Sequence, residues 1–247
     1  METPFLSRKQ FNKFRRVLPL PRARQRIDDR VVISGIIYVL KNNIPWRHLP
    51  KIYGKWRTVY SRFRRWCRQG IFQKIFTHFS SKLKKRCIAM LDSTYIKAHR
   101  TACSLASDGK PRLLGRSRGG MTTKIHLLCT AGGQPMDFMV TGGEVADIKI
   151  APELVSRNKM KAFLADKAYH SLTLRKQLAE RRIKICIPPK SNTKTPVEFD
   201  KTLYRKRHKI ENLFSRLKDW RGIAFRTHRN ASHFQGCVAL ALLSLFL

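Results

Sequence analysis

The spacing of apolar residues changes near residue 85, and this change restricts the fold more than any other feature of the sequence. In residues 27–42 and 56–67, apolar side chains recur three and four positions apart, which predicts amphipathic helices, and residues 71–79 predict a third, short helix. Beyond residue 85, alternating and short continuous apolar runs predict buried strands. We therefore expect a small all-α domain resembling a helix-turn-helix module over residues 1–84, followed by an α/β domain over residues 85–247.

The α/β part has a definite order of predicted elements: three strands, a helix, a strand, a helix, a strand and a final helix. Residues 123–130 and 135–143 flank the turn sequence A-G-G-Q and predict a hairpin. This order suits a mixed sheet flanked by helices. The segment 100–120 is polar and rich in Gly, Ser and Arg, which predicts a loop. The other predicted elements are strands over residues 86–96, 162–166 and 184–189 and helices over residues 147–156, 171–181 and 204–220.

The sequence is strongly basic, with 52 Lys and Arg against 15 Asp and Glu and a formal net charge of +37. Hydrophobic residues make up 43% of the chain, which excludes a disordered basic tail. A folded protein with this surplus repels itself unless a polyanion is bound, and nucleic acid is the commonest such partner. Ribosomal and membrane-surface proteins share this charge, so the charge indicates a partner but no activity.

The predicted helical domain is the more cationic part. Residues 1–84, about a third of the chain, carry about half of the surplus positive charge. Residues 56–67 combine a stripe of aromatic side chains, which we interpret as core, with arginines that either contact phosphates or form a solvated face. If this segment meets DNA as the second helix of a helix-turn-helix module does, Arg62 and Arg65 are the predicted DNA contacts.

The start of the chain has no apolar run long enough for a signal peptide, and residues 237–247, the longest apolar stretch, fall well short of the roughly 20 residues of a spanning helix. We expect a soluble intracellular protein with no membrane partner. The six cysteines are scattered, without a C-x-x-C pair or a histidine at zinc-finger spacing, and this favours reduced thiols over a zinc site or a disulfide framework.

Two aspartates end or nearly end predicted strands. Asp92 follows the run C-I-A-M-L, and Asp166 follows A-F-L-A. Because ligands collect at the carboxyl ends of strands in an open sheet, these two side chains could lie side by side. Neighbouring carboxylates repel, and a divalent cation is their usual neutraliser. Mg²⁺ or Mn²⁺ suits this pair, since no His or Cys accompanies it.

The last predicted helix presents a row of polar groups on one face. Seven residues make almost two helical turns, so Tyr204, Glu211 and Lys218 are nearly stacked, and Arg207 lies on the same side. This face suits a phosphodiester, with the carboxylate on a metal and the cations on phosphate oxygens. An ordinary surface ion pair between Arg207 and Glu211 explains the same spacing equally well.

Several motifs, in the right order, resemble the DDE transposases of bacterial insertion sequences, in particular the IS-five-like group. The spacing of Tyr204, Arg207, Glu211 and Lys218 matches the Y-R-E-K signature of that family without a gap. L-D-S-T resembles its first-aspartate strand, G-R-S-R-G-G-M-T-T-K-I-H its second-strand lead-in, and A-D-K-A-Y its usual A-D-K-G-Y. The N-terminal I-P-W-R-H-L-P is also similar to the leading domain of the group, so the resemblance covers nearly the whole chain.

This resemblance implies an RNase H-like fold in which Asp92, Asp166 and Glu211 are catalytic and hold two Mg²⁺ or Mn²⁺ ions. It implies that Tyr204, Arg207 and Lys218 contact the backbone of the transposon end. The expected activity is binding of terminal inverted repeats, metal-dependent cleavage of the ends and joining of the 3′-OH to target DNA. A homodimer on double-stranded DNA, in the cytoplasm and at the nucleoid, is expected. An RNase H-like nuclease without joining activity and an inactive DNA-binding remnant are the alternatives.

Overall fold

The structure, a computed structural model, describes residues 6–19, 27–83, 87–104, 112–190 and 198–247. The chain forms two compact units. We call Met1–His78, Ala98–Arg112 and Leu217–Leu247 the helical unit, and Phe79–Lys97 and Leu113–Arg216 the sheet unit. The domain boundary at residue 84 stays a prediction.

The elements are numbered in chain order. The helices are α1 (Arg8–Asn12), α2 (Asp29–Asn42), α3 (Trp56–Arg68), α4 (Ile71–Ser80), α5 (Arg100–Cys103), α6 (Asp147–Ser156), α7 (Leu172–Glu180), α8 (Lys201–Tyr204), α9 (His208–Lys218), α10 (Arg221–Ala224) and α11 (Ala231–Ser244). The strands are β1 (Ile88–Ala98), β2 (Gly115–Ser117), β3 (Gly120–Thr130), β4 (Pro135–Gly142), β5 (Ala162–Leu164), β6 (Lys184–Cys186) and β7 (Phe225–Arg226). The three helices predicted before residue 80 are confirmed as α2, α3 and α4.

Local signals explain the helices of the helical unit. At the start of α2, the Asp28 side chain accepts a hydrogen bond from the Arg30 backbone N–H at 2.9 Å, which satisfies a donor that the first turn leaves unpaired. The helix ends at Asn43, whose φ of 52° is left-handed. Packing between α11 and α3 is close: a Cβ at Gly236 would lie 2.6 Å from Cys67 Sγ, so this contact requires glycine. No helix in the described ranges is long and apolar enough to span a membrane.

The sheet unit contains a mixed sheet. β1 pairs antiparallel with β3 and parallel with β5, and β5 pairs parallel with β6. The short β2 and the longer β4 both pair antiparallel with β3, so β3 and β4 form the predicted hairpin. Antiparallel pairing on one side of β1 and parallel pairing on the other make this a mixed sheet, as predicted. The α/β fold class is therefore confirmed.

One face of the sheet is buried under α6 and α7. Leu91 and Leu128 from the strands meet Leu154 of α6 and Leu174 of α7 in one apolar cluster. Because side chains alternate between faces along a strand, burial of Leu91 on this side directs Asp92 to the other side. The core therefore determines which way the first candidate acid points.

Three expectations need correction. The segment 100–120 is not one loop, because α5 and β2 lie in its described part; residues 105–111 lie outside the described residues. The continuous helix predicted over residues 204–220 is divided, since a 3₁₀ turn at Arg205–Arg207 separates α8 from α9, and α9 ends at Lys218. Asp92 does not end its strand, because β1 continues beyond it to Ala98.

Candidate active site

Asp92 and Asp166 occupy equivalent positions on neighbouring chain segments. Met90 of β1 pairs with Leu164 of β5 in parallel register, and each aspartate lies two residues beyond its member of that pair. Neighbouring strands are about 4.8 Å apart, so equal register brings the two positions to the same end of the sheet. Burial raises the pKa of the Asp92 carboxyl, and the nearby Asp166 carboxylate acts in the same direction. The expectation that the two acids could lie side by side agrees with this geometry, although Asp92 lies within β1 and only Asp166 follows the end of its strand.

Glu211 reaches the same place through a shared partner. Arg207 Nη1 donates to Asp92 Oδ2 at 2.7 Å, and Arg207 Nη2 donates to Glu211 Oε1 at 2.8 Å. One guanidinium therefore links the first acid, on β1, with the third acid, on α9. The i, i+4 ion pair that the spacing allowed is present, and the contact with Asp92 adds a partner 115 positions away in sequence.

Backbone groups hold the two aspartates in place. Asp92 Oδ1 accepts from the Ser93 N–H at 2.8 Å, and Asp166 Oδ1 accepts from the Ala168 N–H at 2.9 Å. Ala168 lies in the 3₁₀ turn Lys167–Tyr169, and its φ is not positive. Alanine at the position of the customary glycine is therefore compatible with the turn that follows Asp166.

Tyr204 lies beside these groups, because its phenol interacts electrostatically with Arg207, Asp166 and Asp92. Burial raises the pKa of Tyr204, so the phenol is protonated and can donate a hydrogen bond at neutral pH. The division of the predicted helix does not separate Tyr204 from this group. Lys218 is exposed at the C-terminal end of α9.

The donor set suits a hard divalent cation, since carboxylate oxygens are the ligands that Mg²⁺ and Mn²⁺ prefer. The arrangement itself is not a metal cage: within the described ranges, no group of three His, Cys, Asp or Glu side chains could hold a metal ion. The Arg207 guanidinium instead contacts one oxygen of Asp92 and one of Glu211. The residues therefore fit a metal in chemistry, with Arg207 bound to two of the three acids.

The two arginines predicted to contact DNA lie in different surroundings. Arg62 is buried and forms an ion pair with Asp29, and its Nη1 also donates to the Ile27 carbonyl at 3.3 Å. A buried, ion-paired guanidinium is not placed to meet a phosphate, so we do not retain Arg62 as a DNA contact. Arg65 is exposed on the same helix.

The sequence analysis missed a buried polar cluster on the face of the sheet opposite Asp92, the face that α6 and α7 cover. Lys124 Nζ lies 3.0 Å from Asp147 Oδ1 and donates to the Val145 carbonyl at 2.7 Å. His126 Nε2 lies 2.9 Å from Thr141 Oγ1, and burial lowers the pKa of His126 to about 4. The sequence T-K-I-H could have predicted this cluster. Lys124 and His126 are two positions apart, so a buried strand places both side chains on the same face. His126 pairs across the sheet with Ser93, the neighbour of Asp92, so the cluster lies behind the candidate active site.

Family models match almost the whole chain. Residues 6–76 match a model described as a putative transposase of the IS4/5 family. Residues 83–198 and 193–246 match a model described as the transposase DDE domain.

The chain is also similar to individual proteins and to solved structures. A putative transposase for insertion sequence element IS6501 from Brucella ovis is 35% identical over 133 residues, which is 51% of this chain and 99% of that protein. The uncharacterized protein y4sN of Sinorhizobium fredii is 26% identical over 77 residues, 31% of this chain and 61% of that one. A synaptic complex of piggyBac transposase with hairpin DNA aligns with a TM-score of 0.49 and 9% identity, covering 96% of this chain and 70% of that chain. A Mos1 transposase paired-end complex aligns with a TM-score of 0.27 and 11% identity, covering 85% of each chain.

Proposed function

Because the chain belongs to the transposase DDE family, we propose that it binds the terminal inverted repeats of an insertion sequence, cuts the DNA at the ends of the element and joins the freed 3′-OH to target DNA. The observation that supports this proposal is the convergence of three acids from distant parts of the sequence. Asp92 and Asp166 share a register position, and Arg207 links Asp92 with Glu211.

Asp92, Asp166 and Glu211 are the proposed ligands of two Mg²⁺ or Mn²⁺ ions. Such ions lower the pKa of a bound water and stabilise a leaving oxygen, which is the chemistry that phosphodiester cleavage requires. The protein contributes the position of the acids. The Ser93 N–H holds Asp92 Oδ1, and the Ala168 N–H holds Asp166 Oδ1, while Asp92 Oδ2 accepts from Arg207.

The remaining polar groups of the signature are proposed to hold DNA. Arg207 and Lys218 supply positive charge for nonbridging phosphate oxygens, and the protonated Tyr204 phenol supplies a hydrogen-bond donor. In the helical unit, Arg65 is proposed to contact the DNA backbone. The surplus of +37 charges supports a double-stranded DNA partner for both the terminal repeats and the target. Two ends must be processed together, so a homodimer on DNA is part of the proposal. We also propose that the protein acts at the bacterial nucleoid.

The test is an assay with labelled duplex DNA that carries the inverted repeats flanking the gene, with Mg²⁺ and an unlabelled target plasmid. Strand cleavage at the repeat end together with labelled joined product supports the proposal. Cleavage without joined product would indicate a nuclease instead of a transposase. A shifted band without cleavage would indicate an inactive DNA-binding remnant.

Asp92→Asn should retain the shifted band and lose both chemical steps, because the amide no longer supplies an anionic ligand. Asp137→Asn is the matched control. Asp137 also lies on a strand, its Oδ1 also accepts from the following backbone N–H at 2.8 Å, and it also faces an arginine, Arg157. Cleavage by Asp92→Asn at the rate of Asp137→Asn would refute the assignment of the site.

A further inference from the structure

The contacts of Arg207 conflict with its proposed contact to DNA. The guanidinium donates to Asp92 at 2.7 Å and to Glu211 at 2.8 Å, so its two Nη atoms face carboxylates. These are oxygens of two of the three proposed metal ligands. The guanidinium and a divalent cation compete for the same carboxylates. A DNA phosphate and these carboxylates in turn compete for the guanidinium.

The position of Arg207 allows exchange between these partners. The side chains of Arg207 and Asp92 are 20% and 18% exposed, and that of Glu211 is 56% exposed, so solvent reaches every member of the group. The half with Glu211 is an exposed i, i+4 ion pair, which contributes little to stability. Arg207 also lies in the 3₁₀ turn between α8 and α9, where its long side chain can rotate without unwinding either helix.

We propose that Arg207 is an internal counter-cation that occupies Asp92 and Glu211 in the DNA-free protein and transfers to a DNA phosphate when DNA binds, which opens both acids to metal. Divalent metal binding and DNA binding are then positively coupled, and the coupling is reciprocal by thermodynamic necessity. This inference rests on the proposed function, since it assigns a regulation to the same acids. Its benefit is protective: metal binds strongly only when the substrate is present.

The test measures Mn²⁺ binding to the whole protein without DNA, from the electron paramagnetic resonance signal of free Mn²⁺. Arg207→Gln removes the internal cation and should bind Mn²⁺ at least about 10-fold more tightly than the unmodified protein, a gain in the usual range of coupling between sites. Arg205→Gln is the matched control, because it removes one exposed positive charge from the same 3₁₀ turn without touching the two acids.

Equal Mn²⁺ affinity in Arg207→Gln and the unmodified protein would overturn the inference. An equal gain in Arg205→Gln would overturn it as well, since net charge alone would then explain the effect. Arg207→Lys provides a second variant if Arg207→Gln does not fold, as judged by far-UV circular dichroism. A lysine ammonium is a single point charge and cannot bind two carboxylates as the guanidinium does. Arg207→Lys should therefore bind Mn²⁺ more tightly than the unmodified protein but less tightly than Arg207→Gln, and an unchanged Mn²⁺ affinity would contradict the inference.

A second arm adds a terminal-repeat duplex, with Mn²⁺ binding to the duplex alone subtracted. The duplex should raise the Mn²⁺ affinity of the unmodified protein about 10-fold, to that of Arg207→Gln, and should change the affinity of Arg207→Gln much less. An equal response of the two proteins would overturn the coupling while leaving the metal site intact. If no variant binds Mn²⁺ with or without DNA, the metal site of the proposed function fails, and the coupling fails with it.

Discussion

Arg62 in the helical unit and Arg207 in the sheet unit both face carboxylates, and their surroundings differ. Arg62 and its partner Asp29 have side chains that are 10% and 16% exposed, and Arg62 also donates to a backbone carbonyl. Arg207 has two carboxylate partners, one of which, Glu211, is 56% exposed. The ion pair of Arg62 is shielded from solvent, and we call it the closed pair. The ion pairs of Arg207 are accessible to solvent on the side of α9, and we call them the open pair. An arginine–carboxylate ion pair thus belongs to the interior in the helical unit and to the candidate active site in the sheet unit.

The comparison shows that an arginine on a basic helix can belong to the interior, and that solvent access to its ion pair indicates this where its position in the sequence does not. Removing one partner from a closed pair leaves an uncompensated buried charge, which is costly. Removing a partner from an open pair leaves groups that water can solvate, which costs little stability. Loss of stability should therefore mark the Arg62 region, and loss of activity should mark the Arg207 region.

The largest expected effect is on catalysis in the open region. Glu211→Gln should reduce DNA cleavage and joining by about 10⁴-fold or more, because a proposed metal ligand loses its charge. The free energy of unfolding should change by less than about 1 kcal/mol, since the side chain is exposed. Rates on labelled repeat DNA and urea denaturation measure the two quantities. Glu153→Gln is the control, because Glu153 also forms an exposed i, i+4 pair with an arginine; equal activities of the two variants would remove the distinction.

The next effect is on stability in the closed region. Asp29→Ala should destabilise the helical unit by about 3–5 kcal/mol, because Arg62 is left buried without its carboxylate. All four tryptophans, at positions 46, 56, 66 and 220, lie in the helical unit, so intrinsic fluorescence in urea reports its unfolding. Asp28→Ala removes only the cap of α2 and should cost about 1 kcal/mol. A cost for Asp29→Ala no greater than that of Asp28→Ala would show that the pair is not closed.

A third prediction extends the comparison to pH. Burial lowers the pKa of His126 to about 4, and Lys124 and Asp147 are the charged groups that face it. An unfolded chain binds this proton near pH 6.5, so between pH 6.5 and about 4 the unfolded state binds more protons than the folded state. The free energy of unfolding should therefore fall as the pH is lowered through this range, by roughly 3 kcal/mol from this residue.

His126→Gln should reduce this dependence by about that amount in urea denaturation followed by far-UV circular dichroism at several pH values, while His228, whose pKa burial lowers to about 3, keeps its own contribution. His208→Gln, which replaces an exposed histidine of the same unit, should leave the dependence unchanged. An acid sensitivity that persists in full in His126→Gln would assign it to another buried group.

The smallest expected effect concerns an exposed arginine of α3. Arg65→Gln should weaken DNA binding similarly for all sequences and reduce the slope of log affinity against log salt by about 1, because one phosphate contact is lost. Fluorescence anisotropy of labelled duplexes over a series of salt concentrations measures both quantities. Lys149→Gln, which removes an exposed charge from α6 instead, serves as the control. The same change of slope in both variants would mean that net charge, and not a contact at Arg65, determines the result.

Much of the sheet could be predicted, because periods of two and of 3.6 residues are local properties of the sequence. The hairpin of β3 and β4, the helices α6 and α7 and the strand end near Asp166 follow from such patterns. The helix over residues 204–220 was less predictable, because the change to a 3₁₀ turn at Arg205–Arg207 leaves the spacing of the polar residues almost unchanged. The site residues still gather, since Arg207 contacts both Asp92 and Glu211.

By itself, the sequence determined the fold class, the family and a short list of acids, since few carboxylates stand in so basic a chain and each can be placed against a predicted strand or helix. Only the tertiary structure decided what the arginines contact. Arg62 and Arg65 lie on one helix and look equivalent in sequence, yet one is buried against Asp29 and the other is exposed. The contact between Arg207 and Asp92 joins positions 115 residues apart. The physical reason is that periodicity records which face of an element is apolar, whereas the partner of a charge depends on what packs across from that face.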